Sequence, residues 1–181
     1  MNIMSKENPL PQKVDPFRFA ENEVSLEGTL SIKDMARLRP SLGSDAGQVE
    51  VSVAFGVDEQ GTRFMRGHYS TNLVLQCQRC METFENEVSG NILLGIVTTE
   101  DVIDELPKDY DAIVVKDGSL MIQDVIEDEL ILSLPIVPMH STKNCKRTLP
   151  LAMGSTEQVE TESESPFKVI ELLRVKRNID K

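Results

Sequence analysis

Three cysteines and one of the two histidines are spaced in a way that suits the binding of a metal ion. Cys77 and Cys80 form a C-x2-C pair at the predicted junction of two strands, where a tight turn points both sulfur atoms at one centre. His140 and Cys145 follow much later in the chain, after a proline-containing extended run. Together the four side chains offer a Cys3His set, which zinc accepts in tetrahedral sites. The sequence therefore predicts a zinc site.

Two other interpretations of the cysteines stay open. Cys77 continues an apolar strand face, which is also compatible with a small side chain of the core that has no link to the other three groups. A C-x2-C pair also occurs in redox sites, but there it precedes a helix whose N-terminus lowers the thiol pKa, whereas here a strand is predicted next. His68 falls on the polar side of its strand, where an exposed or hydrogen-bonded role is expected.

Motifs that would indicate an enzyme are absent from the sequence. There is no P-loop, no dinucleotide-binding glycine pattern and no G-x-S-x-G motif. We therefore expect a protein without catalytic residues and without a small-molecule substrate.

The charge is unevenly distributed along the 181 residues, which carry a net −11. This acidic balance argues against indiscriminate binding of nucleic acid, because Lys and Arg neutralise phosphates. Residues 99–129 carry a net −9, whereas residues 130–156 and residues 166–181 each carry +3. Contact with RNA is therefore expected only at the basic segments and at the arginine of the C-x2-C pair. The predicted RNA-binding residues are Arg79, Lys143, Lys146, Arg147, Lys168, Arg174, Lys176 and Arg177.

The acidic stretch 99–129 has two interpretations. It is either a solvated loop followed by the outer face of a helix, or a docking surface that attracts a basic partner electrostatically. A basic ribosomal protein or a processing enzyme would suit the second interpretation. The basic segment 166–181 is similarly open, since a terminal helix docked on the body is an alternative to RNA contact.

Alternating apolar and polar residues predict four half-buried strands. Turns at residues 58–61 and 78–81 join consecutive strands, which favours an antiparallel meander because parallel pairing needs a long crossover. Residues 112–115 are a candidate fifth strand. The four strands are predicted over residues 24–30, 49–57, 65–77 and 84–96.

A helical period of apolar residues predicts one amphipathic helix over residues 120–134, with Ser119 as N-cap and Pro135 as terminator. A shorter helix is predicted over residues 33–39, ended by Pro40. One apolar-faced helix beside a sheet with one polar face indicates an α+β domain. The pattern leaves open whether the sheet of about five strands is barrel-like.

We expect a single α+β domain over residues 1–153, a mobile acidic linker over residues 154–165 and a basic amphipathic tail over residues 166–181. The linker composition is too polar to bury the surface that would offset its ordering entropy. The N-terminus lacks the apolar run of a secretory signal, and the longest uncharged stretch is shorter than the roughly 20 residues of a membrane span. With an odd number of cysteines, the expectation is a cytoplasmic protein with reduced thiols and no membrane contact.

The segments that carry the predicted metal ligands resemble the bacterial YceD family. They read LQCQRCMETF (75–84) and VIEDELILSLPIVPMHSTKNC (125–145), and PQKVDPFRFA (11–20) and PFKVIELLRVKR (166–177) are similar too. Members are described as large ribosomal RNA subunit accumulation proteins. The resemblance implies a role in the synthesis, processing or stability of 23S ribosomal RNA, hence ribosome biogenesis, without a defined catalytic mechanism. Other members carry further cysteines near the second motif and commonly a Gly where Met81 stands.

Two functions are therefore carried forward. The first is a non-enzymatic assembly or stability factor that contacts 23S rRNA or the pre-50S particle. The second is an adaptor that recruits a basic ribosomal protein or a processing enzyme through its acidic surface, without direct RNA contact.

Overall fold

The computed structural model describes residues 9–141 and 145. Five of its strands form one sheet, in which they lie side by side in chain order: β2 Ser25–Ser31, β3 Gln48–Val57, β4 Arg63–Gln76, β5 Thr83–Val97 and β6 Asp111–Val114. The three pairings from β2 to β5 are antiparallel, and β6 pairs parallel with β5. Strands β2 and β6 are the edges, so within the described ranges the sheet stays open and is not a barrel. The α+β prediction is confirmed.

The parallel direction of β6 follows from the link that precedes it. Residues 98–110 separate β5 from β6 and include the 3₁₀ helix Glu100–Glu105. A link of this length lets the chain turn back and then run parallel to the last four residues of β5, so that Leu94 lies opposite Asp111. The fifth strand is therefore present where it was predicted, but the sheet is mixed and not purely antiparallel.

A short N-terminal unit precedes the sheet and was not predicted. Helix α1 (Pro16–Glu21) begins after Asp15, whose carboxylate accepts hydrogen bonds from two backbone N–H groups of the first turn. Strand β1 (Lys13–Val14) pairs with β7 (Leu120–Met121), which directly precedes the second helix. Two-residue strands carry too little alternation to be recognised in a sequence.

The helix predicted over residues 33–39 is wrong. The chain forms two 3₁₀ helices there, Ile32–Asp34 and Arg39–Ser41. Ile32, Met35 and Leu38 are fully buried, Ile32 in the first 3₁₀ helix and the other two in the turn between the two helices. This segment therefore contributes three side chains to the core without forming an α-helix.

Helix α2 (Ile122–Ser133) packs against the sheet and matches the amphipathic helix that was predicted. It ends at Ser133, with Leu134 as C-cap, directly before Pro135, as expected. Its N-cap is Met121, with no capping side chain, so the prediction of Ser119 is wrong. The reason is that Leu120 and Met121 still pair with β1 and keep the backbone extended.

The core lies between α2 and the face of the sheet that carries the predicted apolar residues. Tyr69, on the central strand β4, is almost fully buried, and its hydroxyl lies 2.7 Å from the Ser133 hydroxyl near the end of α2. The proposed linker (154–165) and tail (166–181) lie outside the described residues. None of the helices described is both long and apolar enough to traverse a bilayer.

Candidate metal centre

Cys77 and Cys80 lie in the tight turn that joins β4 to β5. The turn is closed by backbone hydrogen bonds from Cys77 to Glu82 (2.9 Å) and from Met81 to Cys77 (2.8 Å), the first-named residue donating its N–H in each. Met81 has a φ of +65°, in the left-handed region that a side chain with a Cβ disfavours. The turn thus has the conformation that a glycine would adopt easily, although the residue is methionine.

The second pair of ligands is brought to this turn by the chain that leaves α2. The backbone N–H of Gln78 donates to the carbonyl of Pro138 at 2.9 Å, which joins the two segments. The imidazole of His140 lies beside the ring of Phe84, with centroids 5.6 Å apart. Cys145 is buried at the end of the described chain. Backbone pairing and ring packing therefore bring His140 to the C-x2-C turn.

The four predicted ligands meet at one point. Their donor atoms all lie within 4.8 Å of one another, and the Cys80 sulfur is 3.7 and 3.9 Å from the two ring nitrogens of His140. A tetrahedral zinc ion with bonds of about 2.0 to 2.3 Å separates its ligands by about 3.5 to 3.8 Å. The donor set and its spacing fit such an ion after a small contraction. The cluster of Cys77, Cys80, His140 and Cys145 can hold a metal ion.

The surroundings of Cys77 favour a thiolate. Burial alone would raise the pKa of its thiol, but the backbone N–H groups of Cys80, Arg79 and His140, together with the Cys80 side chain, lower it to about 6. The pKa of Cys80 is raised, first by burial and then by the sulfur atoms of Cys77 and Cys145. One thiol of the group is therefore prepared to ionise near neutral pH, and a cation would favour ionisation of the others.

Arg79 lies inside the cluster and not simply on its surface. It is half-buried, its Nε donates to the Cys145 sulfur at 2.9 Å, and its Nη2 donates to the His140 carbonyl at 3.2 Å. The predicted proximity of Arg79 to the ligands is therefore present in the fold. RNA contact by this residue stays a prediction.

The other predicted RNA-binding residues lie outside the described part of the chain. They are Lys143, Lys146, Arg147, Lys168, Arg174, Lys176 and Arg177. Their roles stay predictions, although Lys146 directly follows Cys145 in the sequence.

The acidic stretch 99–129 divides into exposed and buried groups. All four acids of the 3₁₀ helix Glu100–Glu105 are exposed, as are Asp124 and Asp128 of α2. Glu127, by contrast, is buried and pairs with Arg37. The prediction of an outer acidic face thus applies to part of the stretch, and one carboxylate belongs to the interior.

Three features of the cluster were not recognised in the sequence. Phe84 packs beside the His140 ring, the backbone N–H groups of the turn surround the Cys77 sulfur, and Arg79 bonds to the second ligand pair. Of these features, only the position of Arg79 near the cluster could be recognised in the sequence, because Arg79 stands between the two cysteines of the C-x2-C pair. The other two features depend on contacts between segments far apart in the chain.

His68 is exposed and lies apart from this cluster, on the polar face of the sheet. Its Nδ1 is 3.1 Å from the side-chain oxygen of Asn91, directly across the ladder between β4 and β5. The prediction of an exposed, hydrogen-bonded histidine is confirmed.

Comparison with known proteins identifies the family. The family model described as "Large ribosomal RNA subunit accumulation protein YceD" matches residues 65–174, a range that includes all four ligands of the cluster. A curated relative with the same description, from Haemophilus influenzae, is 30% identical over 169 residues, which cover 92% of this chain and 97% of the relative. No solved structure matches the chain significantly. The chain belongs to the YceD family of large ribosomal RNA subunit accumulation proteins.

Proposed function

We propose that this protein is a non-enzymatic ribosome biogenesis factor of the cytoplasm that supports the synthesis, processing or stability of 23S rRNA. The observation that carries the proposal is the family match over residues 65–174, which includes the complete cluster of Cys77, Cys80, His140 and Cys145. The relative from Haemophilus influenzae is named for the accumulation of large ribosomal subunit RNA. The partner would be 23S rRNA or the pre-50S particle.

We further propose that the cluster holds zinc in a structural role. Four protein ligands occupy all the coordination positions of a tetrahedral zinc ion, whereas a catalytic zinc site keeps one position open for water or substrate. A zinc ion at this position would link the turn between β4 and β5 to the segment after α2. The absence of an open position supports the proposal that the protein is not an enzyme.

The metal would also fix part of the proposed RNA-binding surface. Lys143, Lys146 and Arg147 lie within two residues of Cys145 in the sequence. Because consecutive Cα atoms are only about 3.8 Å apart, a bound Cys145 restrains the chain that carries these bases. Arg79, on the turn, and the bases Lys168, Arg174, Lys176 and Arg177 complete the proposed set.

A genetic experiment tests the cellular role. A strain that lacks the gene should accumulate less 23S rRNA relative to 16S rRNA, and the wild-type gene should restore the ratio. The triple variant Lys143→Ala/Lys146→Ala/Arg147→Ala should restore it poorly. A matched control removes three exposed lysines elsewhere, Lys13, Lys33 and Lys108, and should restore it fully. An unchanged 23S to 16S ratio in the deletion strain would contradict the proposal.

A binding experiment tests direct contact with RNA. Affinity for a 23S rRNA fragment should fall steeply with salt, because each neutralised phosphate releases counterions. Loss of three phosphate contacts in the triple variant should reduce the slope of log K against log salt by about 2 to 3. The control that removes Lys13, Lys33 and Lys108 should keep the wild-type slope. Equal slopes for all three proteins would exclude the proposed bases as RNA contacts.

A metal analysis tests the zinc site. Protein purified without chelator should contain about one equivalent of zinc, the content of a single four-ligand site. Cys80→Ser should lose the metal, whereas Ser141→Ala, beside His140, should retain it. Folded wild-type protein that contains no metal would contradict the zinc site. It would not contradict the role in rRNA accumulation, which the genetic experiment tests separately.

The adaptor function is the second candidate, and the exposed carboxylates favour it. Asp101, Asp104 and Glu105 are exposed on one 3₁₀ helix and form a negative group that would attract a basic protein. A basic ribosomal protein or processing enzyme should then co-purify after nuclease treatment. Changing the three acids to Lys should abolish the co-purification, and loss of the partner on nuclease treatment would argue for an RNA bridge instead.

A further inference from the structure

We infer that Arg79 is a positioning residue of the metal site. Its guanidinium holds the ligands His140 and Cys145 in place through two hydrogen bonds, which Nε and Nη2 donate side by side like a fork. The inference rests on the proposed metal site and assigns a role to a residue that is not itself a ligand. It concerns metal binding by the protein alone and is independent of any contact with RNA.

The geometry places Arg79 between the two halves of the ligand set. Its backbone belongs to the turn that carries Cys77 and Cys80, while its side chain reaches the segment that carries the other two ligands. The Nε–H donates to the Cys145 sulfur at 2.9 Å, and Nη2 donates to the backbone carbonyl of His140 at 3.2 Å. One side chain therefore contacts a ligand atom of Cys145 and the backbone of the ligand His140.

The guanidinium of Arg79 would also compensate the negative charge of the metal site. A zinc ion with three thiolates and one neutral imidazole carries a net charge of −1, since the ligands bind in their deprotonated forms. Cys77 and Cys145 are buried, and an uncompensated charge there is unfavourable. The guanidinium is always protonated and thus brings the site together with Arg79 to neutrality. Among the lysines and arginines of the described residues, Arg79 alone donates a hydrogen bond to one of the three sulfur atoms.

The fork explains why the residue is arginine. Nε and Nη2 lie on one edge of a rigid plane and donate in nearly parallel directions, so that a single side chain can serve a sulfur and a carbonyl oxygen together. A lysine at this position would keep the charge but would donate from one flexible nitrogen. The two properties, charge and fork, can therefore be separated by substitution.

The test uses the full-length protein, metal alone as the probe, and no RNA. Zinc affinity is measured by competition with a chromophoric chelator, and Co²⁺ is used to record the thiolate charge-transfer and d–d spectra. Arg79→Gln should bind zinc about 10- to 100-fold more weakly, the range found when outer-shell partners of metal ligands are removed. The Co²⁺ spectrum of Arg79→Gln should change as well. Substitution of a residue that only stabilises the fold would leave this spectrum unchanged. Arg79→Lys should recover only part of the affinity.

Two controls make the result decisive. Arg66→Gln removes an exposed arginine near the other end of β4 and should leave affinity and spectrum unchanged. Cys80→Ser should lose the site. Wild-type zinc affinity and an unaltered Co²⁺ spectrum in Arg79→Gln would overturn the inference while leaving the metal site intact, and full recovery in Arg79→Lys would overturn the role of the fork. If wild-type protein binds no more zinc than Cys80→Ser, both the site and this inference fail.

Discussion

The guanidinium of Arg37 forms an ion pair with the buried carboxylate of Glu127, with Nη2 3.2 Å from Oε2. The same carboxylate accepts hydrogen bonds from the backbone N–H groups of Arg37 at 2.6 Å and Leu38 at 3.0 Å. Glu127 is only 3% exposed, so protein groups and not water solvate its charge. The Glu127 side chain thus joins α2 to the turn that connects the two 3₁₀ helices.

Removal of this carboxylate should destabilise the fold strongly. In Glu127→Ala, two backbone donors and one guanidinium lose their acceptor, and we expect a loss of about 2 to 4 kcal/mol in the free energy of unfolding. Asp128→Ala is the matched control, because Asp128 also pairs with Arg37 but is exposed. That change should cost less than about 1 kcal/mol. Urea denaturation of both variants would measure the difference, and equal losses would contradict the structural role of Glu127.

The contact between β4 and β5 makes a second prediction, at Gly90. A Cβ atom at this position would overlap the Tyr69 hydroxyl oxygen and would lie 2.6 Å from Cζ of the Tyr69 ring. Tyr69 is buried and pairs with Ser133, so it has little room to move. Gly90→Ala should therefore lower the free energy of unfolding by about 1 to 3 kcal/mol. Ser89→Ala, exposed on the same strand, should change it by less than about 0.5 kcal/mol, and thermal denaturation of the pair provides the measurement.

The sheet and the main helix could be predicted because each follows from a local pattern. Alternation of apolar residues marks β3, β4 and β5, and the short turns between them leave antiparallel pairing as the simple connection. The apolar period of α2 and the proline after it fix that helix in the same way. Cys77 and Cys80 could be recognised as candidate metal ligands from residue type and spacing, since a hairpin turn that carries a C-x2-C pair needs no other segment to bring its sulfur atoms together.

The remaining features depend on contacts that the local pattern does not encode. The direction of β6 follows from the path of the preceding link, and the start of α2 is set by the pairing of Leu120 and Met121 with β1. Glu127 was assigned to an outer acidic face because its partner, Arg37, is far away in the sequence. The hydrogen bond of Arg79 to Cys145 could not be predicted for the same reason, since it exists only after the fold brings the two segments together.

The left-handed conformation of Met81 makes a third prediction. For a residue with a Cβ this conformation costs about 1 to 2 kcal/mol of free energy, whereas glycine adopts it freely. Met81→Gly should therefore leave the protein at least as stable, because relief of this strain offsets the extra entropy of the unfolded chain. Met81→Val, with a branched Cβ, should destabilise it by about 1 kcal/mol or more. Chemical denaturation of the metal-free protein tests both variants. If Met81→Val were more stable than Met81→Gly, the left-handed conformation of residue 81 would be contradicted.

The lowered pKa of Cys77 predicts a pH dependence for the metal-free protein. Its thiol has a pKa of about 6 in the fold against an ordinary value of 9.0, so the folded state favours the thiolate. A depressed pKa stabilises the fold fully above pH 9, and this contribution falls as the pH is lowered and is lost below about pH 6. With chelator and reductant present, the unfolding free energy of wild-type protein should therefore decrease from pH 9 to pH 6 more than that of Cys77→Ser. Cys80→Ser is the control and should retain most of the decrease, because the backbone N–H groups that lower the Cys77 pKa remain and the serine hydroxyl can still donate to the Cys77 sulfur. Parallel curves for wild-type protein and Cys77→Ser would show that the fold does not stabilise a thiolate at Cys77.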